Sequence, residues 1–262
     1  MNKYLCLVFL VFFFSPIHAL SQDNADSTIN MARNVIYLDV PSYHKCFVVL
    51  PKDYDANKKY PLIVGLHGRY ADAEYGMSLL KQLGVENVIY AAPQGLYHEG
   101  EKGKYSWAVA DAEVKGIWTQ SKNTSQEYIA KTVGELSKLY SVDVKQVFLL
   151  GHSQGAAMAY GAGIKNSGLF KGIIVLSGWL DPEWITTDEI KNAKSLRFFI
   201  GHGKNDDIVK FTRATEAKEL LTKNGNDVSL YEYDGGHGPS EDELKAAGKW
   251  LLQNISSDEK GK

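Results

Sequence analysis

The stretch QVFLLGHSQGAAMAY, residues 146–160, carries a largely apolar run into Gly151-His152-Ser153-Gln154-Gly155 and then into small, helix-favouring residues. An unbroken apolar run ending in glycine reads as a strand buried on both faces, and QGAAMAYGAGIK as the helix after it. A serine between two glycines at that handover has two readings. Gly and Ser are turn residues, and a strand-to-helix connection needs a turn. A turn this tight also forces the serine into a strained backbone conformation that holds its Oγ up at the sheet edge, where a Cβ on either flank would collide with strand or helix. The helix then aims its free N–H groups at the same point and favours negative charge there. In a chain with 24 glycines the pattern G-x-S-x-G is only moderately specific, so its surroundings decide.

Working outward, NVIYLDV (34–40) and KCFVVLP (45–51) read as strands joined in a hairpin through PSYH. YPLIVGLHG (60–68) and VIYAAPQG (88–95) are strands flanking a helix at 71–84, and a long aromatic loop follows. TSQEYIAKTVGELSKLY (124–140) opens with capping-box spacing, Thr124 to Glu127, and continues as an amphipathic helix. After 146–151 come strands at 171–179, 196–203 and 228–238, with helices at 210–223 and 240–256. The expectation is an α/β fold: a mostly parallel central sheet of about eight strands with helices on both faces. In such a sheet the ligand site lies beyond the carboxyl ends of the strands, which is where Ser153 falls.

The 262 residues suit one α/β domain, and a net charge of -2 offers no basic field for nucleic acid. Residues 1–20 have a basic start at Lys3, the short apolar run YLCLVFLVFFF and a small residue at Ala19. They read as a cleavable signal peptide, too short to span a bilayer. The expectations are a domain over 21–262, a secreted or periplasmic destination and no stable membrane anchor after cleavage. Cys46 would be the one cysteine left, within a strand and without an internal disulfide.

A serine hydroxyl becomes a useful nucleophile only beside a base. His67, His152 and His202 each follow a strand and read as residues that shape their turns. His237, in DGGHG after the last strand, sits in a glycine-rich loop able to carry an imidazole across to Ser153. The imidazole in turn needs a carboxylate to fix its tautomer. GHGKNDDIV supplies Asp206 and Asp207 after the preceding strand. Asp206 is the preferred acid, Asp207 the residue suited to cap a helix, and Asp234 and Asp181 are weaker alternatives. An oxyanion would need two N–H donors: that of Gln154, after the serine, and one from LHGRY, with Arg69 preferred over Gly68. No HExxH or paired His/Cys spacing appears, so neither metal nor cofactor is expected.

With the order Ser153, Asp206, His237, the chain resembles the α/β-hydrolase superfamily from about residue 35 to 255. YPLIVGLHG, PQG, YSWAVAD, GHSQGAAMAY, GHGKNDDIV and GGHG are similar to the secreted esterase branch, which includes phospholipase/carboxylesterase-like, feruloyl-esterase-like and polyhydroxybutyrate-depolymerase-like enzymes. The resemblance implies Ser153 as nucleophile, Asp206 as acid, His237 as base, Arg69 and Gln154 as hole donors, and a tryptophan such as Trp107 near the acyl site. Trp179, beyond another strand end, is a second candidate for substrate contact. The hole loop reads His-Gly-Arg rather than the HGGG of lipases, which would bring the Arg69 charge to the pocket rim. The expected activity is carboxylic-ester hydrolysis through an acyl-enzyme, on a small or carbohydrate-linked (acetyl or feruloyl) ester. A prolyl-oligopeptidase-type serine peptidase and a non-catalytic hydrolase-fold binding protein are the alternatives.

Overall fold

The computed structural model of the chain describes residues 42–100, 103–109 and 114–256. The expected signal peptide and the strand expected at 34–40 both lie outside them.

The spine of the fold is a seven-stranded sheet. In chain order its strands are β1 (Cys46–Val49), β2 (Tyr60–Leu66), β3 (Ile89–Pro93), β6 (Val142–His152), β7 (Gly172–Leu176), β8 (Arg197–Gly203) and β9 (Asp227–Tyr233). Their spatial order is β1-β3-β2-β6-β7-β8-β9. All pairs are parallel except β1 with β3, where Cys46 faces Pro93. The seven described strands match seven of the eight expected. The Cys46 thiol, half-buried at the antiparallel edge, is pushed up to about 11 by burial, as expected for a packed and unreactive cysteine. A two-stranded ribbon, β4 (Tyr97–His98) and β5 (Tyr105–Ser106), forms within the long loop, where the sequence reading places no strand.

Contiguous apolar runs on β2, the second half of β6, β7 and β8 bury both faces of the sheet, so both need helical cover. One face packs against α1 (Ala73–Gln82) and α6 (Glu241–Ser256) through Met77, Leu80, Leu244 and Leu251. The other packs against α2 (Ile117–Leu139), α3 (Gln154–Lys165), α4 (Thr187–Asn192) and α5 (Thr212–Lys223) through Ile129, Met158, Ile190 and Leu221.

Two helices depart from expectation. α2 begins at Ile117, not near Thr124, and its N-cap is Gly116 rather than a capping box. Nothing in IWTQSKN breaks a helix, and burial of Ile117 and Ser121 anchors the added turns. Thr124 instead donates its hydroxyl to the Gln120 carbonyl one turn back. α4 has no counterpart among the expected helices, although its capping box is legible in TTDE: Thr186 accepts from the Glu189 N–H, and the Glu189 carboxylate accepts from the Thr186 N–H.

α6 begins with a similar exchange between Ser240 and Glu243. Glu243 is fully buried against Gly201 of β8, where no Cβ would fit, and burial pushes its carboxyl up to about 7. A carboxyl whose folded pKa lies above its unfolded one contributes stability that is complete below the unfolded value and lost as pH rises through the folded one. The wild type should therefore lose about 3 kcal/mol relative to Glu243→Gln between roughly pH 4.5 and pH 7. Urea unfolding of both proteins at pH 5, 6, 7 and 8 measures this. A difference that stays constant with pH would contradict it.

Candidate active site

β6 lies near the middle of the sheet, and its last residue hands the chain directly to α3 through Ser153. Ser153 has φ 54 and ψ −118, a backbone conformation that L residues rarely adopt. Its N–H is held by the Leu176 carbonyl at the end of β7. Glycine is required on the helix side because a Cβ at Gly155 would lie 2.4 Å from the Leu66 and His67 carbonyl oxygens. On the strand side, a Cβ at Gly151 would lie 2.3 Å from the Gly155 oxygen. The G-x-S-x-G spacing is thus the spacing at which β2, β6 and α3 can approach with the serine side chain turned outward. As the first residue of α3, Gln154 has an N–H with no acceptor within the helix.

The loop after β9 brings His237 across to the serine. His237 Nε2 lies 2.9 Å from Ser153 Oγ, and His237 Nδ1 lies 2.8 Å from Asp206 Oδ2. A carboxylate only accepts, so Nδ1 carries the proton and Nε2 presents its lone pair to the serine hydroxyl. Asp206 follows β8 and is 3% exposed. Its Oδ1 accepts from the backbone N–H groups of Ile208 and Val209 at 2.9 and 2.8 Å, so it caps the local turn and orients the imidazole at once. Burial works against its charge, but the hydrogen bond from His237 and those two N–H groups outweigh it, and the carboxyl is held below its ordinary range. The buried His202 ring adds a contact from Nε2 to Asp206 Oδ2 at 3.2 Å. Asp207, the next residue, is exposed and stands outside this chain of contacts.

The loop after β2 closes the other side. A Cβ placed on Gly68 would lie 3.4 Å from the Ser153 Cβ, so the Gly68–Arg69 backbone runs beside the serine. His67 pins this loop: its Nδ1–H donates to the Gly68 carbonyl, and its Nε2 accepts from the Gly95 N–H of the PQG turn at 2.9 Å. The Arg69 guanidinium forks onto Glu99 and lies over the Tyr70 ring, so the charge expected at the rim meets a carboxylate.

Trp107, expected near the acyl site, lies buried behind the serine turn. It is 0% exposed, its indole N–H donates to the His67 carbonyl, and its backbone N–H donates to the Gln154 side chain at 3.0 Å. It braces the loop after β2 against α3 from within the core. Trp179 remains partly exposed after β7, with its ring 6.3 Å from Trp184. Next to it, the Lys122 ammonium sits 3.6 Å from the Trp184 ring centroid and 4.9 Å from that of Trp118, and burial lowers its pKa to about 8. No pattern in the sequence distinguishes Lys122 from a solvated helix lysine.

Residues 47–255, which hold every one of these groups, match the family model described as phospholipase/carboxylesterase. The chain belongs to the phospholipase/carboxylesterase family. It is an α/β-hydrolase and a serine hydrolase of the carboxylesterase type. A probable feruloyl esterase C of Aspergillus niger is 24% identical over 258 residues, 85% of this chain and 86% of that protein. An acyl-protein thioesterase 1 of Gibberella zeae is 32% identical over 149 residues, 55% of this chain and 63% of that relative. Dipeptidyl peptidase 4 of Bos taurus is 25% identical across 85% of this chain, which spans only 34% of that longer protein. Among solved structures, a Bacillus cereus carboxylesterase shares the fold with a TM-score of 0.65 at 20% identity, over 80% of this chain and 94% of that one.

These relatives correct one expectation. Acyl-protein thioesterases recur among them, from Yarrowia lipolytica, Gibberella zeae and Neurospora crassa, and that of Zea mays shares the fold. A group named for acylated-protein substrates gives no exported destination, and the secreted or periplasmic reading is withdrawn.

Proposed function

We propose that Ser153, His237 and Asp206 act as nucleophile, base and acid of an ester hydrolase working through an acyl-enzyme. The observation that carries this reading is the continuous chain of contacts from Asp206 Oδ2 through His237 to Ser153 Oγ, 2.8 and 2.9 Å long. Ser153 Oγ attacks the acyl carbon as its proton passes to His237 Nε2, and the carbonyl electron pair moves onto oxygen. The N–H groups of Gln154 and Arg69 receive that oxyanion, each good donor stabilising it by roughly 3–4 kcal/mol. Collapse expels the alcohol, which leaves with the proton from His237. Water then gives a proton to His237 and attacks the acyl-enzyme, the second intermediate collapses, Ser153 Oγ recovers the proton, and the free acid departs. Asp206 stabilises the imidazolium formed twice in each cycle.

The substrate we assign is a small or carbohydrate-linked ester, acetyl or feruloyl. Two features support it: partly exposed Trp179, Trp184 and Trp118 flank the strand ends, and the feruloyl esterase relative aligns over most of both chains. A panel of p-nitrophenyl acetate and longer acyl esters, methyl ferulate, acetylated xylan, an acyl thioester and a dipeptidyl p-nitroanilide tests the assignment. Turnover of acetyl or feruloyl esters is expected. Preference for the thioester would move the substrate class to acylated thiols, and cleavage of the anilide alone would favour a peptidase.

A further inference from the structure

His152, the residue just before the serine, is used by none of the steps above, yet it lies between the two loops that must meet. It is 8% exposed, and its Nε2 lies 3.0 Å from the backbone carbonyl of His237. A carbonyl only accepts, so Nε2 carries the proton, and the neutral ring's Nδ1 accepts from the Tyr75 hydroxyl at 3.2 Å. Tyr75 belongs to α1, so the ring is fixed from the opposite face of the sheet from α3. The rings of His152 and His237 pack with centroids 5.2 Å apart. The loop that carries His237 is glycine on both sides, Gly235, Gly236 and Gly238, so few side chains of its own are available to pack. The loop is also held by the Tyr233 hydroxyl, which donates to the Gly238 carbonyl at 2.6 Å, and by the Asn205 N–H, which donates to the Gly235 carbonyl at 2.9 Å.

We propose that His152 is a positioning residue: by donating Nε2–H to the His237 carbonyl it locks the glycine-rich loop to the serine turn and sets the direction in which the His237 imidazole faces Ser153 Oγ. The base and the nucleophile are then registered by one hydrogen bond, from the residue before Ser153 to the backbone of His237 itself. Burial pulls the His152 pKa down to about 4, so the ring stays neutral and keeps this single-donor arrangement at neutral pH. The role needs a donor at that point and no charge, which distinguishes it from a base.

The inference rests on the proposed roles of Ser153 and His237, so Ser153→Ala is measured alongside. His152→Phe keeps a ring but removes the donor, and His152→Gln restores an N–H at a similar reach. For His152→Phe, kcat should fall roughly tenfold to a hundredfold, since a displaced base is costly even when chemically intact, while KM stays within about twofold. His152→Gln should recover kcat to within about threefold of wild type. A merely structural role predicts instead that thermal stability and the fraction of titratable serine fall, with Gln no better than Phe. Unchanged kcat in His152→Phe, or equal losses in Phe and Gln, overturns the proposal while leaving the Ser153 reading intact if Ser153→Ala is inactive. If Ser153→Ala is active, the reading beneath both fails. Should His152→Phe not fold, His152→Met against His152→Gln, equal in length and differing in the donor, is judged by the same criterion.

Discussion

Ser153→Ala is expected to fold as the wild type does and to lose about 10⁵–10⁶ in kcat on p-nitrophenyl acetate, measured by steady-state kinetics. Removing Oγ does not disturb the turn, because the approach of β2, β6 and α3 depends on Gly151 and Gly155. No other described hydroxyl contacts His237 Nε2, so nothing replaces the nucleophile. His237→Ala should fall about as far, and the double variant barely further, because base and nucleophile act as one unit. Additive losses would mean that they do not.

Asp206→Asn should cost roughly 10⁴ in kcat, while Asp207→Asn stays within about threefold of wild type. The amide introduced by Asp206→Asn would keep an acceptor for the Ile208 and Val209 N–H groups, so the turn should persist. That amide would present N–H to His237 Nδ1, forcing the proton onto Nε2, where the ring can no longer receive one from Ser153. Nor can a neutral amide stabilise an imidazolium. Asp207, adjacent but exposed, has no such contact. Comparable mild losses from both substitutions would move the acid role elsewhere.

Much of this site is legible because its parts are written locally. A buried strand announces itself as an apolar run, its end as glycine, and the order of Ser153, Asp206 and His237 follows the order of the strands that carry them. What is not legible depends on distant contacts. The periodicity of α2 hides its true start and its inner face, because Ser121, Lys122, Ser125 and Gln126 are polar residues that are nonetheless buried. Ser125 is satisfied there by the Trp107 carbonyl and Lys122 by indole rings, partners that no spacing rule reveals. Trp107 lies in a polar loop, and neither its burial nor its hydrogen bonds to the His67 carbonyl and the Gln154 side chain follow from any spacing rule. The antiparallel pairing of β1 with β3 joins segments separated by two elements, and a hairpin reading looks only at neighbours in sequence. His152 reads in the sequence as a turn-shaping residue. Its bond to a carbonyl 85 residues away appears only once the sheet is assembled.

The central claim is that Ser153 is the activated nucleophile, and covalent trapping tests it most directly. A fluorophosphonate should react with the purified protein at one site, and peptide mass mapping should place the adduct on Ser153. Labelling should vanish in Ser153→Ala and slow by orders of magnitude in His237→Ala, whose serine is present but has no base. An adduct on another residue, or labelling of Ser153 that is indifferent to His237, would contradict the account.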